Sequence, residues 1–430
     1  MTTTTYTIPG LALTDHTFII PLDHARPGGE QIQVFARAVH AVGKRNEDRP
    51  WLVFFQGGPG SPSLRPLVSS GWIKRAIEEY HVLLLDSRGT GRSTPLTFQT
   101  LARLSGAQAQ AAYLKHFRAD AIVQDAEWIR RNLLGEERGW TLLGQSYGGF
   151  CITTYLSHAP HALDAVLITG GLPPLVDEPD AVYRATYRHV LAKNQLYFER
   201  YPDDAAQAHA IASHLAEHDV RLPTGDRLTP RRFQQLGLDF GASDGFEHIH
   251  YLLEGAFVDG MHGRELSYTF LRGVENAQHY DTNPLFAILH EAIYCQGKAA
   301  RWSAERVRSE FPAFTFVPDR PLHFTGEMIY PWMFEEYAAL RPLQEAAEIL
   351  AAYDGWPALY DTAILRANTV PSAATIYYND MYVDRIFAEQ TAATICGMKT
   401  WITNEYEHNA LRADGERILD RLLQMIRGEV

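Results

Sequence analysis

Four short apolar runs punctuate the first part of the chain: WLVFFQ at 51–56, HVLLLD at 81–86, WTLLGQ at 140–145 and AVLITG at 165–170. Each ends in Gln, Asp or Gly, where a strand hands over to a loop. Their near-continuous hydrophobicity predicts parallel strands covered on both faces by helices, because a strand with one wet face would alternate instead. The segment DAIVQDAEWIRRNLL at 120–134 has the helical period and supplies one such cover. Upstream, HTFIIPL and QIQVFARAV alternate more, which predicts an antiparallel start to the sheet. After GGLPPL at 170–175 the strand signal stops and helical periodicity takes over, as in AVYRATYRHVLAKNQLYFERY. Strand signals return in ATIYYN at 374–379 and MKTWIT at 398–403, and LRADGERILDRLLQMIR reads as a closing helix. Neither strand-rich piece has enough strands to stand alone. The pattern therefore predicts one α/β sheet built from residues 1–174 and 366–430, interrupted by a helical cap at 175–365.

Composition narrows the function. With 430 residues, 46% hydrophobic and 21% charged, the chain is an ordinary globular protein whose core needs no disulfide or metal staple. The net charge is −12 and the basic residues form no block, which argues against nucleic-acid binding. Cys151, Cys295 and Cys396 are odd in number and widely spaced, so neither a disulfide framework nor a cysteine zinc site is expected. MTTTTYTIPG lacks the basic start and apolar stretch of a signal peptide, and no run of about 18 apolar residues occurs, so the expected location is cytoplasmic with no membrane partner.

The chemistry concentrates at Gly144-Gln145-Ser146-Tyr147-Gly148, a G-x-S-x-G directly after a predicted strand and before a helical stretch. A serine alcohol is a poor nucleophile at neutral pH and needs a base with a group to orient it. Asp380 stands just beyond ATIYYN, and His408 lies a few positions past the next strand in EYEHN. The order Ser, Asp, His is that of an α/β-hydrolase triad. Asp384 competes with Asp380 for the acid, while Glu405 and Glu407 read as solvated loop charges. An oxyanion needs donors; Gln56-Gly57-Gly58-Pro59-Gly60 offers backbone N–H groups free of side chains, and the amide of Tyr147 is a second source. The loop DSRGTGRS at 86–93 lacks the ending of a phosphate-binding loop and reads as structural. His248, His250 and His290 have no third ligand at recognisable spacing, so no metal and no cofactor is expected.

Taken together, QGGPG, DSRGTGRS, GQSYGG, NDMYVD and EYEHNALR resemble the proline iminopeptidases of the α/β-hydrolase superfamily, in particular their larger bacterial branch with a long cap. The smaller branch usually has His before GGPG, where this chain has Gln56. The resemblance implies a serine aminopeptidase that releases an N-terminal residue, preferentially proline, from short peptides through an acyl-enzyme. It makes Ser146 the nucleophile, Asp380 the orienting acid, His408 the base, and Gly58 with Tyr147 the oxyanion hole. An aminopeptidase must also hold a cationic amine with carboxylates. Glu291 in LFAILHEAIYCQG and Glu327 in HFTGEMIYPWMF lie beside aromatics and are the candidates, with Glu247 and Glu254 next. A carboxylesterase would use the same triad under a different cap.

Overall fold

The computed structural model describes every residue except Met1, His262, His279 and Asp281. Eleven strands occur among the described residues: β1 (Thr2–Ile8), β2 (Leu11–Pro21), β3 (Gln31–Ala41), β4 (Trp51–Phe55), β5 (His81–Leu85), β6 (Trp140–Gln145), β7 (Leu163–Thr169), β8 (Phe257–Gly260), β9 (Gly263–Leu266), β10 (Ser372–Tyr377) and β11 (Met398–Thr403). Nine of them form one sheet in the order β1-β2-β3-β5-β4-β6-β7-β10-β11. The first three pair antiparallel and β3 pairs antiparallel with β5, whereas every pairing from β5 to β11 is parallel.

Alternate residues of the central strands feed two separate cores. Val53, Phe55, Leu83, Leu85 and Leu142 face one core, which includes Ile122, Val123 and Ile129 of helix Ala119–Leu134 and Ile152 and Tyr155 of helix Tyr147–His158. Leu52, Phe54, Val82, Leu84 and Leu143 face the other, formed with Trp72, Ile73, Ile418, Leu419 and Leu422. This is why the runs are continuously apolar: both faces are dry, and each fully buried Leu, Val or Phe contributes about 1.5–3 kcal/mol.

Two elements differ from the sequence expectation. Thr2–Ile8 forms an exposed edge strand paired with β2 from Thr2↔Thr17 to Ile8↔Leu11. Its run of threonines has strand propensity but no apolar face to announce it. The stretch between β7 and β10 is also not purely helical, since β8 and β9 make an antiparallel hairpin. Otherwise helices dominate there, the longest being Asp180–Arg200 and Pro202–Glu217. Their buried residues, among them Tyr183, Tyr187 and Ile211, join the same apolar cluster as one face of the sheet. Among the described residues no helix is long and apolar enough to cross a membrane.

The chain moves from β4 to one side, adding β5, then returns to the other side of β4 to add β6. Connections from β4 and β6 therefore diverge, and the crevice beyond their carboxyl ends is where a doubly wound sheet holds its ligand.

Candidate active site

Ser146 sits at the turn between β6 and helix Tyr147–His158 with φ 55° and ψ −127°, a conformation that L-residues rarely adopt. The surroundings hold it there. Ser146 N–H donates to Thr169 O at 3.0 Å, tying the turn to the end of β7. A β-carbon on Gly148 would lie 2.0 Å from Phe55 O, so only glycine lets the helix start this close to β4. Ser146 Oγ makes no hydrogen bond among the described residues, and its residue is partly exposed.

The loop after β4 stands directly against this turn. A β-carbon on Gly57 would lie 3.0 Å from Ser146 Cβ, which explains the glycine and brings the QGGPG amides to the serine. Gly58 has φ 134°. Neither Gly58 N–H nor Tyr147 N–H donates to a protein acceptor among the described residues. Tyr147 is also the first residue of a twelve-residue helix, whose N-terminal end favours negative charge.

Asp380 and His408 meet across the ends of β10 and β11, with His408 Nδ1 and Asp380 Oδ2 2.7 Å apart. Asp380 is 1% exposed, and its Oδ1 accepts from Tyr382 N–H at 2.9 Å and Val383 N–H at 3.0 Å. One oxygen is thus fixed by the turn and the other is free for the imidazole. Burial presses the His408 pKa down, but the charge and hydrogen bond of Asp380, helped by Glu327 and Glu407, raise it above the usual histidine value. Tyr382 meets the imidazole edge-on at 4.8 Å between ring centroids.

Asp384, the competing acid, is committed elsewhere. Its Oδ1 caps helix Arg385–Thr394 by accepting from Phe387 N–H at 3.0 Å, and its Oδ2 lies 2.7 Å from His189 Nε2. The loop Asp86–Ser93 is likewise internally tied: Asp86 accepts from Ser63 N–H at 3.0 Å and Arg92 N–H at 2.9 Å, and Arg88 Nε donates to Asp125 Oδ2 at 2.7 Å.

The two cap glutamates separate. Glu291 is buried, and Ser303 N–H and Ala304 N–H donate to its Oε2 and Oε1 at 3.0 and 2.8 Å, so it caps the short helix Ser303–Arg308. The expectation that Glu291 holds an amine is corrected by this geometry, because its oxygens are already spent on backbone donors. Glu327 makes no hydrogen bond among the described residues, and its closest cation-capable neighbour is His290, with Nε2 3.9 Å from Oε2. Burial pushes the Glu327 carboxyl up to about 8, with His408 opposing and Asp380 reinforcing the rise. Burial also pushes His290 down to about 3, leaving a neutral ring. Tyr183, Tyr280, Tyr294 and Tyr382 all feel the Glu327 charge, so the carboxyl lies in a tyrosine-rich region that also holds the Asp380–His408 pair.

Glu407 is a second correction. Rather than a solvated charge, it accepts a hydrogen bond from Lys193 Nζ at 2.5 Å, and the lysine side chain is only 5% exposed. No local signal in the sequence joins residues 193 and 407.

A serine on a strained strand-to-helix turn after a central parallel strand, with a bonded Asp–His pair on later strand ends, is the arrangement of an α/β-hydrolase. In agreement, residues 50–236 match the family model described as alpha/beta hydrolase fold. The chain is 50% identical over 423 residues to a proline iminopeptidase of Aeromonas sobria, covering 98% of both chains. It is 35% identical over 415 residues to a proline iminopeptidase of Aspergillus aculeatus, covering 95% of this chain and 92% of that one. The chain belongs to the proline iminopeptidase family.

Proposed function

We propose that this enzyme is a serine aminopeptidase that releases an N-terminal residue, preferentially proline, from short peptides, with Ser146, His408 and Asp380 as its triad and residues 175–365 as the cap that selects the substrate. The observation that carries this reading is Glu327, a largely buried carboxyl with no hydrogen bond among the described residues, in a tyrosine-rich region that also holds the His408–Asp380 pair. A simple acyl ester has no use for such a group, whereas a substrate amine does. The names of the full-length relatives support the same substrate class.

The geometry supports one order of steps. With its Nδ1 proton directed at Asp380, His408 presents Nε2 as the base that takes the Ser146 proton while Oγ attacks the substrate carbonyl. The oxyanion accepts from Gly58 N–H and Tyr147 N–H at the positive end of helix Tyr147–His158. His408 then protonates the departing amine, leaving the N-terminal residue as an ester on Ser146. Water, deprotonated by His408, attacks this ester, and collapse of the second tetrahedral intermediate returns the proton to Ser146 and frees the amino acid. Throughout, the substrate's amine sits on Glu327, and the pyrrolidine ring lies among the tyrosines.

Hydrolysis of proline anilide, its N-acetylated form and a neutral acyl ester tests this assignment. Turnover of the free amine with little of the acetylated form supports it. A preference for the ester, with no loss on acetylation, would establish a carboxylesterase instead.

A further inference from the structure

Helix Asp180–Arg200 touches three segments around the site through one face. His189 Nε2 lies 2.7 Å from Asp384 Oδ2, four residues beyond Asp380. One turn further on, Lys193 Nζ donates to Glu407, the residue before His408, at 2.5 Å. Between them, Val190 packs at the segment of Glu327: a β-carbon on Gly326 would lie 2.5 Å from Val190 Cγ2 and 3.0 Å from Met381 Cε.

The loop of His408 hangs largely on this part of the chain. His408 N–H donates to Gly241 O at 3.1 Å, and Asn409 Oδ1 accepts from Ser243 N–H at 3.0 Å and from its hydroxyl at 2.7 Å. Lys193 adds a buried cation to it, donating to Glu407. Desolvating a lysine and a glutamate to form a pair is a poor way to gain stability, so the location of the pair needs another reason.

We propose that helix Asp180–Arg200 is a clamp that sets the catalytic register, with Lys193 acting through Glu407 on the base loop and His189 acting through Asp384 on the acid loop. Both are positioning residues, and the proposal rests on the triad assigned above. The Asp380–His408 hydrogen bond aligns these two groups with each other but does not by itself remove the pair's freedom to shift relative to Ser146. The clamp removes that freedom, and a displacement of about 1 Å can cost up to about a hundredfold in rate. The charges facing His408 are Asp380 from the loop after β10, Glu327 from the cap and Glu407 from its own loop, with Lys193 behind Glu407.

The test compares Lys193→Met, Glu407→Gln, their double variant and Lys193→Arg, with kcat and KM measured on proline anilide and on p-nitrophenyl acetate. Each single removal is expected to lower kcat by about tenfold on both substrates with KM changed less than about twofold, and the double is expected to be no worse than the poorer single. Lys193→Arg should restore most of the rate. Glu407→Gln should also move the acid limb of the activity profile to lower pH, because one of the charges raising His408 is gone. Labelling of Ser146 by a fluorophosphonate should slow in the same order, and this readout stands even for an enzyme that releases no proline. Losses that multiply in the double, no rescue by arginine, or a lowered melting temperature with unchanged kcat would overturn the clamp. Should Lys193→Met fail to fold, Glu407→Gln and Lys193→Arg decide it.

Discussion

The strand ends of the sheet and the helical stretch between β7 and β10 carry different parts of the proposed site. At the strand ends, position is enforced by backbone: Ser146 is held in a strained turn by glycines that admit no β-carbon, and Asp380 is locked by the amides of its own turn. In the helical stretch, position is enforced by side-chain packing, and chemically identical residues diverge according to which donors lie nearby. Glu291 and Glu327 are both pushed up by burial, to about 7 and about 8, yet one is satisfied by two backbone N–H groups and the other by none. The proposed function then puts the chemistry on the rigid part and selectivity on the part that packing can retune.

If that division is right, the largest effects come from the strand ends and do not depend on substrate. Ser146→Ala and His408→Ala should each lower kcat by about 10⁴–10⁶ on peptide and ester alike, and the double variant should be little worse than either single, since nucleophile and base act as a unit. Multiplying losses would show two independent groups. Next, Asp380→Asn should lower kcat by about 10⁴ by favouring the wrong imidazole tautomer. Asp384→Asn, which disturbs a helix cap and the His189 contact, should lower it by at most about tenfold. The reverse ranking would move the orienting acid to the helix cap.

The same division decides what the sequence reveals. The parallel strands are legible because a strand buried on both faces leaves an apolar run in one stretch of chain, and G-x-S-x-G is legible because its glycines answer a local steric demand. Asp380 and His408 stand out by their order and their distance from strand ends. Thr2–Ile8 is not legible as a strand, since its pairing with β2 involves no apolar face. The Lys193–Glu407 pair joins positions 214 residues apart, and nothing local marks either residue. Glu291 and Glu327 look alike in sequence because each is a glutamate among aromatics, and only the amides of Ser303 and Ala304 distinguish them.

A smaller effect, and a sharper test, lies in the cap. Glu327→Gln should reduce kcat/KM for a free-amine proline substrate by about tenfold or more, the equivalent of a charge-assisted contact of about 1.5–3 kcal/mol, and change hydrolysis of a neutral ester much less. Glu291→Gln places an amide N–H group against backbone donors, so it should lower the melting temperature and affect both substrates equally. Equal losses on both substrates for Glu327→Gln would make that residue structural as well, and the search for the amine ligand would pass to Glu247 and Glu254.

The smallest expected effect is a change in the shape of a pH profile. On the proposed function, two groups of the free enzyme must lose a proton before a peptide is both held and cleaved: His408, raised above its usual value chiefly by Asp380 against the pull of burial, and Glu327, raised to about 8 by burial. Both are protonated at low pH, so kcat/KM for the free-amine substrate should rise with pH and carry a two-proton acid limb extending to about pH 8. A neutral ester needs only His408 as a base and should show a one-proton limb. In Glu327→Gln the peptide limb should become one-proton, and the ester limb should shift to lower pH, because a negative charge that raises His408 has been removed. Glu327 and His408 are close enough to titrate as a coupled pair, so the number of protons and the direction of the shift, rather than single values, are what the comparison reads. Peptide and ester limbs with the same slope in the wild-type enzyme would mean that Glu327 does not meet the amine as a carboxylate.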